Sequence, residues 1–246
     1  MALTNFSNPI TDKDKMKDAL MASIFFLMIC WALFLFDQFL GTNLKQYGLR
    51  PRTLEGLRGV ATIHFLHGDW KHIGHNTLGF LVLNSFLFYF YRSISVKVFA
   101  WLFVVPALFM WFWARPENHI GASVLIFGEA AFLFFSGILR KDSRMMRVSL
   151  VVALYYGSLI WYIFPIDPTI SWEGHLSGVL VGIILAFAYK NKGPQRIPFQ
   201  WELEPEEEEN SENADEVTYE EVKSKKSIEI HYEYKEKKAS NESKPT

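Results

Sequence analysis

Six long apolar stretches, separated by short polar segments, dominate the chain before residue 190. A helix needs roughly 20 apolar residues to cross the hydrocarbon core of a bilayer, with a range of about 17 to 25. The pattern therefore predicts an all-α membrane protein with six transmembrane helices and a first span that is retained. We expect these spans at residues 20–36, 72–91, 96–113, 121–139, 148–164 and 174–189.

The last part of the chain has a very different composition. Residues 191–246 are almost entirely polar and include four consecutive glutamates at 206–209. Such a segment buries too little apolar surface to offset the entropy of ordering it. We expect a disordered, solvated tail, with docking of a cytoplasmic partner as the alternative role. The formal net charge of -1, without a basic stripe, argues against nucleic-acid binding. The chain thus divides into residues 1–19, a membrane domain at 20–190 and the tail.

Lysine and arginine are concentrated in alternate loops. Because these residues accumulate on the cytoplasmic side, both termini are predicted to be cytoplasmic, and the N-terminal ends of spans two, four and six face the opposite side. The long first loop holds Lys45, Arg50, Arg52 and Arg58 and argues mildly the other way. We expect it to be a structured element lying partly in the interface. The residues that set the orientation are Arg92, Lys97, Arg140, Lys141, Arg144, Arg147, Lys190, Lys192 and Arg196.

Three polar groupings interrupt the apolar stretches, each where a span begins. Polar side chains at membrane depth are costly and usually mark function. Loop charge is independent of these groupings, yet it places all three on one membrane face. A serine, a distant histidine and further hydrogen-bond donors are the components of a serine hydrolase, which is the hypothesis that the residues favour. The groupings are His67-xxxx-His72-xxx-Asn76, Gly121-Ala122-Ser123 and Gly174-His175.

Ser123 stands in the first turn of span four, two residues after Gly121. The first N–H groups of a helix have no intrahelical partner, and the helix dipole adds positive potential there. A serine in this place has free N–H groups beside its hydroxyl, which suits attack on a carbonyl and stabilisation of the resulting oxyanion. The alternative is that Ser123 is a helix N-cap or a small packing residue.

His175 begins span six, where the helix N-terminus disfavours a charged imidazolium and leaves a ring that can accept a proton. Gly178, Gly182 and Ala186 follow at helical spacing and predict a face along which another helix can approach closely. If that helix is span four, His175 is brought towards Ser123. The alternative is an interfacial or hydrogen-bonded structural histidine.

The nearby acidic residues are not expected to take part. Glu173 lies two residues before His175 and is expected to face water, while Glu129, deeper in span four, is expected to make a structural hydrogen bond. The sequence therefore predicts a Ser–His dyad without an orienting carboxylate.

His72 and Asn76 are four residues apart and share one helix face. Both can donate hydrogen bonds to an oxyanion, whereas His67 precedes the helix and is expected to be structural. A metal or haem site is the rival interpretation, since closely spaced histidines bind both. No HExxH or CxxC pattern accompanies them, so no metal or cofactor is expected, and the single cysteine, Cys30, is expected to be a buried spacer. The candidate metal ligands are His64, His67, His72 and His75.

Together these motifs resemble the rhomboid family of intramembrane serine proteases. The likeness extends over residues 20–189, and the motifs have the order, spacing and placement found in that family. The first loop, with Gly48-Leu-Arg-Pro-Arg52 and Gly56-Leu-Arg-Gly59, also resembles that of many bacterial rhomboids. The motifs are His67-Gly-Asp-Trp-Lys-His72-Ile-Gly-His-Asn76, Gly121-Ala-Ser123 and His175-Leu-Ser-Gly178-Val-Leu-Val-Gly182.

The resemblance implies a six-helix bundle in a bacterial inner membrane, with a water-accessible cavity open to the outside. It implies Ser123 as nucleophile, His175 as general base and acid, and an oxyanion site made by the Ser123 N–H with His72 and Asn76. It also implies that the substrates of this protein are single-span membrane proteins, which are cut near the outer end of their transmembrane segment. Supporting packing is implied at Gly121, Phe127, Gly178 and Gly182.

Two positions depart from the family pattern. Val124 stands where glycine commonly follows the serine, and Phe127 stands where a tyrosine often stacks on the histidine. A phenylalanine ring can still pack on His175, but it supplies no hydroxyl group. A catalytically silent relative that binds membrane proteins is the alternative function. Such relatives usually lack the serine or the histidine, and this chain has both.

Overall fold

The computed structural model describes residues 11–196, and within them six helices of 14 residues or more follow the six predicted spans. Residues 1–10 and 197–246 lie outside the description, and with them most of the predicted disordered tail. The helices are α1 (Asp12–Leu40), α2 (Trp70–Phe90), α3 (Ser95–Trp113), α4 (Ser123–Arg140), α5 (Ser143–Tyr156) and α6 (Trp172–Ala188).

Helix α1 begins well before the apolar stretch that predicts it. The Thr11 hydroxyl accepts a hydrogen bond from the Asp14 N–H at 3.2 Å, and the Asp14 carboxylate accepts one from the Thr11 N–H at 3.2 Å. This reciprocal capping box satisfies two backbone donors and starts the helix inside the charged segment. Gly41 ends it in the left-handed conformation, with a φ of 63°.

Several helices are long and apolar enough to cross a membrane, so the chain is an integral membrane protein. They comprise Asp12–Leu40, Ser95–Trp113, Ser123–Arg140 and Ser143–Ile163. The last of these combines α5 with a 3-10 helix, Gly157–Ile163. Helix α6 is apolar but has only 17 residues, and α2 carries several polar side chains. The count of six spans therefore stays a prediction.

Helix α4 occupies the centre of the bundle. It packs against α2, α3, α5 and α6, most extensively against α6. A Cβ at Gly178 would collide with the carbonyl oxygen of Val124, and one at Gly182 with that of Gly128. The glycines on α6 therefore allow its backbone to approach α4 closely, and this approach determines how near the starts of the two helices lie to each other.

The first loop is folded against the bundle, as its sequence pattern predicts. The Arg52 guanidinium donates to the carbonyl oxygen of Ala114 at 2.8 Å, just past the end of α3. Leu49 and His119 exchange two backbone hydrogen bonds of 2.9 Å each. These contacts fix the segment that leads from α3 into Ser123.

Candidate active site

Ser123 is the first residue of α4 and follows a turn made by Gly121 and Ala122. The φ of Gly121 is 119°, a conformation that favours glycine, and a Cβ there would lie 2.5 Å from His72 Nε2. Ala122 holds the N-cap position, and no side chain caps this helix end. The Ser123 hydroxyl is therefore not a helix cap and is available to another partner.

That partner is His175, in the first turn of α6. Its Nε2 lies 3.0 Å from Ser123 Oγ, and its Nδ1 lies 2.9 Å from the carbonyl oxygen of Tyr162. A carbonyl oxygen can only accept, so a neutral ring carries its hydrogen on Nδ1 and presents the Nε2 lone pair to the serine hydroxyl. The arrangement is that of a nucleophile beside an oriented base.

Tyr162 was not among the residues singled out from the sequence. It lies in the 3-10 helix Gly157–Ile163, which continues α5. Its contribution is a main-chain oxygen, which every residue possesses, so no sequence pattern could have identified it. The path of the chain brings this acceptor to His175 Nδ1.

Phe127 provides a platform for the histidine. Its ring stacks on the His175 imidazole with the centroids 4.0 Å apart and the planes inclined by 3°. Phe127 lies one turn after Ser123 on the same helix, so α4 carries both the serine and the ring that stacks on His175. The imidazole is thus held by stacking on one face and by a hydrogen bond at each nitrogen.

His72 and Asn76 reach the same turn from α2. A Cβ placed at Gly121 would lie 2.5 Å from His72 Nε2 and 3.4 Å from Asn76 Nδ2, so both side chains lie against the backbone that precedes Ser123. Asn76 is 6% exposed, and its Nδ2 has no hydrogen-bond partner within residues 11–196. A buried donor without a partner costs free energy. Such an unpaired donor is typical of a group that binds a ligand or stabilises charge developing in a reaction.

Two of the candidate metal ligands, His64 and His67, have main-chain partners of their own. His67 Nδ1 lies 3.3 Å from the carbonyl oxygen of Phe65, and His64 Nε2 lies 2.7 Å from that of Phe103. Burial lowers the pKa of His67 to about 3 and that of His64 to about 4, so both rings are neutral. In the described part of the chain, no three His, Cys, Asp or Glu side chains are grouped to hold a metal ion.

A polar cluster beside the dyad joins the segment before Ser123 to the start of α6. We call Arg115, His119, Ser171 and Glu173 the Arg115 cluster. Arg115 Nε lies 3.3 Å from Glu173 Oε1, and His119 Nδ1 lies 2.6 Å from Ser171 Oγ. Burial lowers the pKa of His119. The cluster ties the segment that leads into Ser123 to the start of the helix that carries His175.

Two acidic residues differ from their expectations. The Glu173 side chain is 2% exposed and ion-paired with Arg115, so the expectation that it faces water was wrong. Its partner is 58 residues away in sequence, which loop composition alone could not reveal. Glu129 is fully buried, yet neither carboxylate oxygen has a hydrogen-bond partner among the described residues. The structural hydrogen bond predicted for it is therefore not found there.

Comparison with known proteins identifies the family. A family model described as the Rhomboid domain matches residues 55–192. The chain belongs to the rhomboid family. Uncharacterized proteins of Mycobacterium tuberculosis (strain ATCC 25618 / H37Rv) and Mycobacterium bovis are each 33% identical over 171 residues, 66% of this chain and 71% of theirs. An uncharacterized protein of Mycobacterium leprae is 29% identical over 171 residues, 66% of this chain and 68% of its own.

The rhomboid match contains every candidate residue of the site and the valine that departs from the family pattern. Val124 is 3% exposed and belongs to a small apolar core between the first loop, α3 and α4. Its side chain therefore fills space in that core. The other buried members of this core are Leu49, Ile63, Ala107, Met110 and Ala114.

Proposed function

We propose that this rhomboid is an intramembrane serine endopeptidase that uses Ser123 and His175 as a catalytic dyad. The observation that carries the proposal is the 3.0 Å contact between Ser123 Oγ and His175 Nε2. The Tyr162 carbonyl strengthens it, because a hydrogen on Nδ1 leaves Nε2 as the proton acceptor, the tautomer that a general base requires.

The chemistry proceeds by acyl transfer. His175 Nε2 takes the proton from Ser123 Oγ as the oxygen attacks the scissile carbonyl carbon, and the carbonyl oxygen becomes an oxyanion. The Ser123 N–H, His72 and Asn76 donate hydrogen bonds to that oxyanion. The protonated His175 then gives its proton to the leaving amine as the C–N bond breaks. Water next attacks the acyl-enzyme while His175 takes one of its protons, and the carboxylic acid leaves as His175 returns that proton to Ser123 Oγ.

The substrates in this proposal are transmembrane segments of single-span membrane proteins. A transmembrane helix hides its carbonyl groups in its own hydrogen bonds, so the segment must unwind before Ser123 can attack. The proposal includes six spans within residues 20–190, with residues 1–19 and the tail at 191–246 on the cytoplasmic side of a bacterial inner membrane. Loop charge supports that orientation, and it puts the dyad near the outer face.

The decisive experiment combines cleavage with active-site labelling. Wild-type protein, Ser123→Ala and the matched control Ser158→Ala are reconstituted with a reporter transmembrane segment and treated with a fluorophosphonate probe. Ser158 is exposed in the 3-10 helix, so its loss tests a nearby serine outside the dyad. We expect Ser123→Ala alone to lose both cleavage and labelling while it remains folded. Cleavage retained by Ser123→Ala would refute the proposal.

The same experiment tests the alternative of a catalytically silent, client-binding rhomboid. A folded wild-type protein that binds the reporter segment but neither cleaves it nor takes up the probe at Ser123 would favour that function. The geometry supports the protease instead, because a silent relative has no need to keep His175 in the tautomer of a base.

A further inference from the structure

A groove lies between α2 and α5 at the ends of these helices that are remote from the dyad. It has a volume of about 360 Å³. Helices α2 and α5 each pack on α4 but make at most slight contact with one another within residues 11–196. The lining residues are Phe86 and Phe90 of α2 with Arg144, Arg147, Val148 and Val151 of α5.

The wall of the groove is apolar. Phe86 and Phe90 pack edge to face with ring centroids 5.7 Å apart, and Val148 and Val151 face them from α5. Because the two helices do not close on each other, this wall is open to the lipid phase of the bilayer. Its chemistry suits a hydrocarbon chain.

The rim of the groove is basic. Arg144 and Arg147 are three residues apart on α5, which puts them on neighbouring positions of one helix face. Arg147 makes no hydrogen bond or ion pair in the described part of the chain. Arg144 forms an ion pair with Asp142, with 3.3 Å between Nη2 and Oδ2, and half of the Arg144 side chain is exposed. The groove therefore offers one free guanidinium and one partly engaged guanidinium beside an apolar wall.

We propose that this groove binds an anionic phospholipid. The phosphate lies between Arg144 and Arg147, whose planar donors match its oxygens, and one acyl chain lies along the apolar wall. Loop charge places these arginines on the cytoplasmic side, where anionic lipids attract basic side chains next to a membrane helix. A soluble anion would gain nothing from the phenylalanines, so the combined chemistry favours a lipid.

The test measures lipid binding in the full-length Ser123→Ala protein, so its result does not depend on proteolysis. Native mass spectrometry in detergent follows the binding of added dioleoylphosphatidylglycerol and dioleoylphosphatidylcholine. We expect preferential binding of phosphatidylglycerol, and we expect Arg144→Gln with Arg147→Gln to weaken it about tenfold or more. The control pair, Lys97→Gln with Lys190→Gln, removes the same formal charge from the same predicted side and should change the affinity less than about twofold.

A second variant separates the groove from general surface charge. Val151→Trp fills the apolar wall and leaves both arginines in place, so it should also weaken binding of phosphatidylglycerol, with thermal unfolding used to verify its fold. Equal binding of the two lipids by the parent protein would overturn the proposal. Equal losses in the arginine and lysine pairs, or undiminished binding by a folded Val151→Trp protein, would overturn it as well.

Discussion

The α4–α6 pair and the α5 segment both contribute to the candidate site, but the bundle holds them very differently. Of the residues of α4, 67% are buried, and glycines bring the backbone of α6 against it. In an apolar stretch of 18 residues within Ser143–Ile163, which comprises α5 and the following 3-10 helix, only 17% of the residues are buried. The proposed nucleophile and base, and the phenylalanine that stacks on the base, therefore stand on the tightly packed pair. The carbonyl group that orients His175 stands on the exposed segment.

This difference separates two properties of the dyad. The distance between Ser123 and His175 depends on α4–α6 packing, and the tautomer of His175 depends on the position of Tyr162. A change at the glycine contacts between α4 and α6 should damage the fold and the chemistry together, because those glycines let the two backbones pack closely. A change in the α5 segment should alter the chemistry while most of the stability remains.

The largest effect should come from Gly178→Val. The added side chain meets the carbonyl oxygen of Val124, and overpacking of a core costs about 1–3 kcal/mol, so we expect a lower unfolding temperature in detergent and no reporter cleavage. Gly74→Val is the matched control, since nothing lies within 4 Å of a Cβ at that position. Full activity in Gly178→Val would show that the close approach of the helices is unnecessary.

Glu173→Gln should have the next largest effect. It removes the negative charge that pairs with Arg115. Breaking a fully buried ion pair lowers the free energy of unfolding by about 3–5 kcal/mol. Because Arg115 is partly exposed, we expect a loss of about 2 kcal/mol here. Cleavage should fall with it, because the Arg115 cluster ties α6 to the segment before Ser123. Glu117→Gln, at an exposed position of that segment, should match wild type in chemical unfolding and in cleavage.

An amide-to-ester substitution between Tyr162 and Ile163 tests the exposed segment alone. An ester carbonyl is a weaker acceptor, and a hydrogen bond contributes about 0.5–1.5 kcal/mol, so kcat should fall roughly threefold to tenfold with an altered pH profile and little loss of stability. The same ester between Leu159 and Ile160 is the control. Equal kcat and equal pH profiles for both esters would remove Tyr162 from the mechanism.

The smallest effect should be on the pH dependence of stability, through the buried His67 of the first loop. His67 has its pKa lowered by burial from its ordinary value of 6.5 to about 3, so the unfolded chain binds a proton that the folded chain does not. Its contribution to stability is constant above pH 6.5 and declines as the pH falls below that value, by up to about 1.4 kcal/mol per pH unit. His67→Gln should therefore show a shallower loss of stability between pH 7 and 5.5 than wild type; identical slopes would contradict this.

The local features of the fold were predictable from the sequence. Apolar runs predicted where the helices lie, and the glycine spacing in 174–189 predicted a close helix approach, which the structure places between α6 and α4. Helix ends were predicted less well, because capping depends on single side chains. The Thr11 and Asp14 pair extends α1 through charged residues that hydropathy excludes.

The sequence by itself determined the family, the membrane-embedded helical fold and the residues proposed for the dyad, because apolar periodicity and motif spacing are properties of neighbouring positions. Only the tertiary structure decided which nitrogen of His175 faces Ser123, where Val124 packs and that Glu173 is buried against Arg115. Each of these depends on atoms that are remote in sequence or on a main-chain oxygen common to all residues. Packing alone brings such groups within hydrogen-bond distance.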